Sequence, residues 1–312
     1  MPRVVDPTPS LQPPTKGGRL PTRGRQTSAV RFAQRSVSKR GWGDPLVGPL
    51  PDARLTNGCF ETMRAYRGRI FRLEDHLDRL YASAQFLGTR PPPRRTLAAQ
   101  LTAALQRSRL REAVVRVALL PQPQGPSHPS IVVQPTIRPS ASAYRTGIAV
   151  AVIPTRKFSV GSITPQAKYS ARQGSVLAVM DAQLRGVDEA LFLDTFGSVT
   201  ESTASNIGII SQGAIVTPPC ALGLLAGITR DVLFELAAKV GVAIRELPLT
   251  RHDLYNAEEA FLTSTLKEVL AVTRIDGRRI GTGRPGPLTR QLHRAFQELV
   301  RRELRHVSCD TT

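Results

Sequence analysis

Lysine is the scarce residue of this chain: Lys16, Lys39, Lys157, Lys168, Lys239 and Lys267 stand against thirty-seven arginines. A guanidinium stays charged and non-nucleophilic, whereas an ammonium can shed its proton and attack a carbonyl. Each Lys here is therefore a candidate for work that Arg cannot do. Cysteine is sparse too. Cys59, Cys220 and Cys309 are odd in number, widely spaced and without a CxxC pair or a His cluster, which argues against a disulfide framework or a zinc site. A reducing compartment, the cytoplasm, is the expectation. No apolar run approaches the ~18 residues that span a bilayer, and the start of the chain shows no signal-peptide core. What remains is 312 residues, 41% of them apolar, enough for two domains with real cores.

The formal net charge of +19 is unevenly spread. Up to Asp44 the chain carries Arg3, Lys16, Arg19, Arg23, Arg25, Arg31, Arg35, Lys39 and Arg40 against Asp6 and Asp44 alone, so this segment contributes +7. It is rich in Pro, Ser, Thr and Gly and has no sustained apolar period, which reads as a disordered basic tail over 1–44. The same make-up equally fits an organellar transit peptide or a start codon assigned too far upstream. Elsewhere Arg94-Arg95, Arg278-Arg279 and Arg301-Arg302 are scattered without interleaved aromatics, a pattern of solvated surface rather than of a nucleic-acid groove.

Periodicity predicts a small α/β unit over 45–137. Phe60 to Tyr66 and Arg69 to Phe71 form a hairpin around Arg67-Gly68; Leu73, Leu77, Leu80, Ala84 and Leu87 recur at helical spacing and stop at Gly88. A second helix over 96–110 and strands over 113–120 and 130–134 follow. Residues 138–147 read as a linker, 148–306 as a larger unit, and 307–312 as a tail. In the larger unit, strands are expected over 189–193, 206–210 and 214–217, the last two paired across Gln212-Gly213, and later over 242–246, 260–263 and 268–275. Helices are expected over 175–184, from about 230 to 239 and from 287 to about 304. The mixed order gives an α+β fold.

Four features suggest one chemistry. Lys168 lies between a strand-like run and a helix-like run, where ligands of α/β elements tend to bind. Gly227-Ile228-Thr229 opens an amphipathic helix, with Thr229 as a good N-cap and free amides suited to a phosphate, although a merely capped helix has the same sequence. Glu201 sits among small hydroxyl residues between two strands, as either a ligand carboxylate or a strand-end residue. Arg79 lies beside the apolar stripe of its helix and reaches inward to an anion or outward to solvent.

Taken in order, Gly58-Cys-Phe-Glu-Thr-Met-Arg-Ala-Tyr66, Phe71-Arg-Leu-Glu-Asp-His-Leu-Asp-Arg-Leu80, Lys168, Gly197-Ser-Val-Thr-Glu201, Gly227-Ile-Thr-Arg230 and Ala257-Glu-Glu-Ala-Phe-Leu-Thr-Ser-Thr265 resemble the class IV aminotransferases. These fold-type IV enzymes include branched-chain aminotransferase, D-amino-acid aminotransferase and aminodeoxychorismate lyase. The resemblance implies a small α/β domain, a larger pseudobarrel domain, pyridoxal 5'-phosphate in the cleft between them, and a homodimer. It implies that Lys168 bonds the cofactor and shuttles the substrate proton, and that Glu201 partners the pyridine nitrogen while Asn206 steadies the loop behind it. Arg79, Ile228, Thr229, Thr265 and Ser264 then match the phosphate cup, and Phe60 with Glu61 matches a pair facing the active site.

The chain departs from the family after the strand over 113–120, where Pro121-Gln-Pro-Gln-Gly-Pro-Ser-His128 replaces an Arg-bearing substrate loop. Carboxylate recognition is left to Arg116, Arg64 or His128. The expected reaction is amino transfer from an amino acid, branched-chain-like, to a 2-oxo acid such as 2-oxoglutarate; elimination of pyruvate to form 4-aminobenzoate is the alternative within the family. A polyanion binder acting through the basic tail is a remote third.

Overall fold

Two neighbouring residues of left-handed backbone set the first turn of the fold. Arg67 and Gly68 both have positive φ (53° and 79°), the geometry that joins twisted antiparallel strands with two residues. They link β1 (Cys59–Tyr66) to β2 (Arg69–Ile70) in the computed structural model, which describes residues 58–122, 124–157, 166–170 and 173–305. The predicted basic tail over 1–44 and the tail over 307–312 lie outside the described residues.

Helices α1 (Leu73–Phe86) and α2 (Arg94–Ser108) follow, then β3 (Ala113–Leu119) and β4 (Pro129–Pro135). The strands form a four-stranded sheet in the order β2-β1-β3-β4. Its β1–β3 register is unbroken from Cys59↔Leu119 to Ala65↔Ala113. Because strand side chains alternate, Cys59, Met63 and Ala65 point to one face, where they pack with Leu77, Leu80 and Ala84 of α1 and Leu97, Leu101 and Leu105 of α2. Phe60, Thr62, Arg64 and Tyr66 take the opposite face.

The expected linker over 138–147 contains a helix, α3 (Ala141–Thr146). Ser140 Oγ accepts the Ala143 N–H and caps it, and six residues are too few to show an apolar period. Then come β5 (Ile148–Arg156), α4 (Gln173–Leu184), β6 (Glu189–Leu193), β7 (Val199–Ser202), β8 (Asn206–Ser211) and β9 (Ala214–Thr217). Helix α5 (Ile228–Val240), β10 (Ile244–Glu246), α6 (Arg251–Asn256), β11 (Glu259–Ser264), β12 (Glu268–Ile275), β13 (Arg278–Arg279) and α7 (Pro287–Glu303) complete the described chain. Sequence periodicity did not reveal β7 or α6; the latter rests on a capping box between Thr250 and Asp253.

The second sheet runs β10-β9-β8-β11-β12-β5-β6-β7, and pairing of β7 with β8 closes it into a barrel. Val150, Leu191, Ile207, Leu262 and Leu270 fill the interior. Helices α5 and α7 cover one outer face, where Phe71 of the first sheet's region meets Phe296 edge-on at 5.6 Å, and α4 covers another through Ala178 and Ala182. The result is a mixed α+β fold. Among the described residues, no helix is long and apolar enough to cross a membrane.

Candidate active site

A β-bulge places the acid. Leu193 pairs with Val199 and Leu191 with Ser202, so two steps along β6 face three along β7. Without the extra residue Val199 and Glu201 would share a face; the bulge breaks that parity, leaving Val199 in the barrel core while Glu201 turns outward. There Glu201 Oε2 accepts the Leu225 N–H at 3.0 Å and Asn206 Nδ2 at 3.4 Å, and Oε1 pairs with Lys157 Nζ. Asn206 also donates to Leu225 O at 2.9 Å, which ties the strand carrying it to the loop before α5.

That loop is built closely enough to require glycine. A Cβ on Gly227 would lie 2.0 Å from Asn206 Oδ1. Gly227 is the N-cap of α5 and offers no side-chain cap, so the first-turn amides keep their donor capacity for an anion. Thr229, expected as the N-cap, lies instead inside the first turn and is buried. Arg79 of α1 reaches the same point, donating from Nη1 to Ala226 O at 2.7 Å.

Arg79 is held by Glu61. Its Nε and Nη2 donate to Glu61 Oε1 and Oε2 at 2.6 and 2.9 Å, and His76 Nδ1 lies 2.8 Å from Oε2. Burial pushes the Glu61 carboxyl up, but the Arg79 guanidinium and the His76 hydrogen bond outweigh it and hold the acid well below the usual carboxylate range. Burial lowers His76 below its ordinary 6.5, outweighing the pull of Glu61, so the ring is neutral and Nδ1 is the donor. The expectation that Phe60 and Glu61 face the active site together is thus corrected: neighbours on a strand point to opposite faces, and Glu61 braces Arg79 from behind.

Lys168 is joined to this frame through its backbone. Its N–H donates to Ser83 Oγ at 2.9 Å, Ser83 Oγ donates to Arg79 O at 2.7 Å, and the Phe60 N–H donates to Lys168 O at 3.0 Å. Nζ of the half-buried Lys168 lies 5.1 Å from the centre of the Phe60 ring. On β3, opposite Thr62, Arg116 brings its Cζ within 5.8 Å of the same ring. Between Phe60 and Arg64 on that face, the buried Thr62 Oγ1 has no partner among the described residues.

Ser264 and Thr265 follow Thr263, which pairs with Asn206, and Ser264 Oγ accepts the Lys267 N–H at 3.2 Å. Arg79, Glu201 and Asn206 therefore meet the Leu225–Thr229 turn that carries Ile228 and Thr229, Ser264 and Thr265 lie at the end of β11 beside Asn206, and Lys168 connects to Arg79 through Ser83. Two carboxylate candidates do not join them. Arg64 is buried and donates to Glu268 Oε1 at 2.7 Å, and His128 is exposed ahead of β4. Burial pushes the Cys59 thiol up to about 12, so it is inert packing. Sequence reasoning missed Lys157 and also Lys267, whose Nζ lies 2.6 Å from Glu189 Oε2. The scarcity of lysine was the signal available for both.

An amine, a carboxylate held by an amide, and a helix start joined by an arginine fit the three recognition points of pyridoxal phosphate: its aldehyde, ring nitrogen and phosphate. The orphaned Thr62 hydroxyl supplies a further polar contact for a ligand on the Phe60 side. Comparison with known proteins agrees. Residues 58–275 match the family described as amino-transferase class IV. The chain is 35% identical over 258 residues to the branched-chain-amino-acid aminotransferase of Pseudomonas aeruginosa, covering 78% of this chain and 84% of that protein. It is 32% identical over 257 residues to the D-alanine aminotransferase of Listeria innocua, covering 78% and 88%. Among solved structures, the branched-chain amino acid aminotransferase of Thermobaculum terrenum in its PLP form superposes with a TM-score of 0.75 at 27% identity, over 81% of this chain and 88% of that one. The chain belongs to the class IV aminotransferases, enzymes that work with pyridoxal phosphate.

Proposed function

We propose that the protein transfers an amino group from an apolar, branched-chain-like amino acid to a 2-oxo dicarboxylate such as 2-oxoglutarate. The observation that carries this reading is the pair of cations on one ring: the Lys168 ammonium and the Arg116 guanidinium both lie within 6 Å of Phe60. The ring offers an apolar wall to a hydrocarbon side chain, and the guanidinium offers a fork to a second carboxylate. One pocket then takes an apolar donor and a diacid acceptor in turn.

When bound, pyridoxal phosphate supplies an electrophilic carbon and an electron-withdrawing ring. The chain's own residues do the rest. First-turn amides of α5 and Arg79 hold the phosphate, and Glu201 presents an acceptor oxygen to the ring nitrogen. Lys168 Nζ takes the proton from the substrate α-carbon and returns it, while Phe60 keeps water from that amine.

Purified protein offered L-leucine and 2-oxoglutarate should form glutamate. Arg116→Ala should raise KM for 2-oxoglutarate by about tenfold or more, the loss of a charge-assisted contact, while changing KM for leucine less. Equal changes for both substrates would remove Arg116 from this role. Pyruvate and 4-aminobenzoate from aminodeoxychorismate, with no glutamate formed, would replace transamination by the lyase reaction.

A further inference from the structure

Glu201 is held from two sides, and only one of them is a charge. Its Oε2 accepts one well-placed amide, from Leu225, and a longer contact from Asn206. Its Oε1 meets Lys157 Nζ, the one cationic side chain paired with it among the described residues. The lysine is itself fixed. It follows directly on β5 where the β5–β6 register shifts, its N–H donates to Leu193 O at 2.9 Å, and its Nζ lies 5.5 Å from the centre of the Phe192 ring. Both side chains are largely withdrawn from water, with 18% and 10% exposure.

We propose that Lys157 is a positioning residue: its ammonium, seated on Oε1, keeps the Glu201 carboxylate aimed so that it can recognise the ring nitrogen of the cofactor. A carboxyl terminus rotates about a soft torsion, and one amide with one long contact do not fix it. The ammonium on Oε1 fixes that torsion before the ring arrives. This role rests on the family's cofactor and is independent of which amino acid is the donor.

The test compares two probes on the full-length chain: pyridoxal 5'-phosphate and its 1-carba analogue, in which CH replaces the ring nitrogen. Both carry the aldehyde and the phosphate, so Lys168 and Arg79 contribute equally and the ratio of the two Kd values reads the ring-nitrogen contact alone. Lys157→Met should cut the wild-type preference for pyridoxal phosphate by roughly tenfold or more, the scale of a lost hydrogen bond to a charged group. Lys157→Arg, which keeps the charge, should retain most of it. Lys157→Gln provides a neutral variant of similar reach should the Met protein fold poorly, and it should lose the preference as well. An unchanged preference in both neutral variants, or an equal loss of affinity for both probes, overturns the role of Lys157. A wild type that binds both probes equally would overturn the assignment of Glu201 itself.

Discussion

The two sheets each bury a carboxylate beside the site and treat it differently. Glu61 lies on β1, whose pairing with β3 is regular throughout; it is fully buried, and both its oxygens are taken by Arg79 and His76. Glu201 lies on β7, at a bulge, with one oxygen held by an amide and the other by a lysine that follows a second irregular strand. A group with every lone-pair direction occupied by its own fold is structural. A group delivered by a register fault to the outside of a barrel, with one amide and one lysine as its close partners, keeps lone-pair directions to share with a ligand. The regular region therefore braces, and the irregular region leaves a carboxylate that a ligand can share.

Removing the reactive amine should give the largest effect and the cleanest separation of chemistry from scaffold. Lys168→Ala should lower the rate of amino transfer by at least about 10³-fold, since in the proposed function the same nitrogen bonds the cofactor and carries the proton. Borohydride should then trap no covalently held cofactor. Unfolding of the cofactor-stripped variant in urea should stay within about 1 kcal/mol of wild type, because the frame holds this residue through its backbone N–H and C=O. A variant that is inactive because it is unfolded would erase the distinction between the two regions.

Glu61→Gln should invert that pattern. It leaves the Arg79 guanidinium without its counter-ion in a buried setting, and removal of one partner from such a pair costs about 3 kcal/mol or more. Urea unfolding of the cofactor-stripped protein reads that loss directly. Destabilisation below 1 kcal/mol would show that Arg79 is held chiefly by Ala226 O and that the brace is not Glu61.

The same contrast explains what could be read in the sequence. Where alternation is unbroken and turns carry their own signals, as in β1 with Arg67-Gly68 or β12 with Asp276-Gly277, the elements were legible nearly to the residue. β7 was not, because its bulge breaks the alternation that would reveal a strand, and α3 and α6 are too short to show a period. Glu201 and Lys168 could be named because the residues around them resemble a family. Their geometry could not be, since no local pattern says that a bulge turns one acid outward or that Lys157 comes to rest on it. The role given to Glu61 failed for a simpler reason: Phe60 and Glu61 are adjacent in sequence, and adjacency on a strand means opposite faces.

The smallest effect tests the brace by pH. The folded His76 is lowered from 6.5 by burial, against the pull of Glu61 and with Arg79 and Lys168 as the cations facing it. Below about pH 6.5 the unfolded chain therefore takes up a proton that the folded protein refuses, and stability must fall as pH falls, by at most about 1.4 kcal/mol per unit for this one group. Glu61 adds no slope in that window: its folded value is also depressed, so its contribution is full above the ordinary 4.5 and declines only below it. Urea unfolding at pH 7 and pH 5.5 should accordingly show a steeper loss for wild type than for His76→Asn, which keeps a donor toward Glu61 but does not titrate. Parallel losses would mean that the imidazole takes its proton as readily in the folded protein as in the unfolded chain. The first sheet would then hold a charged relay behind Arg79 rather than a neutral brace.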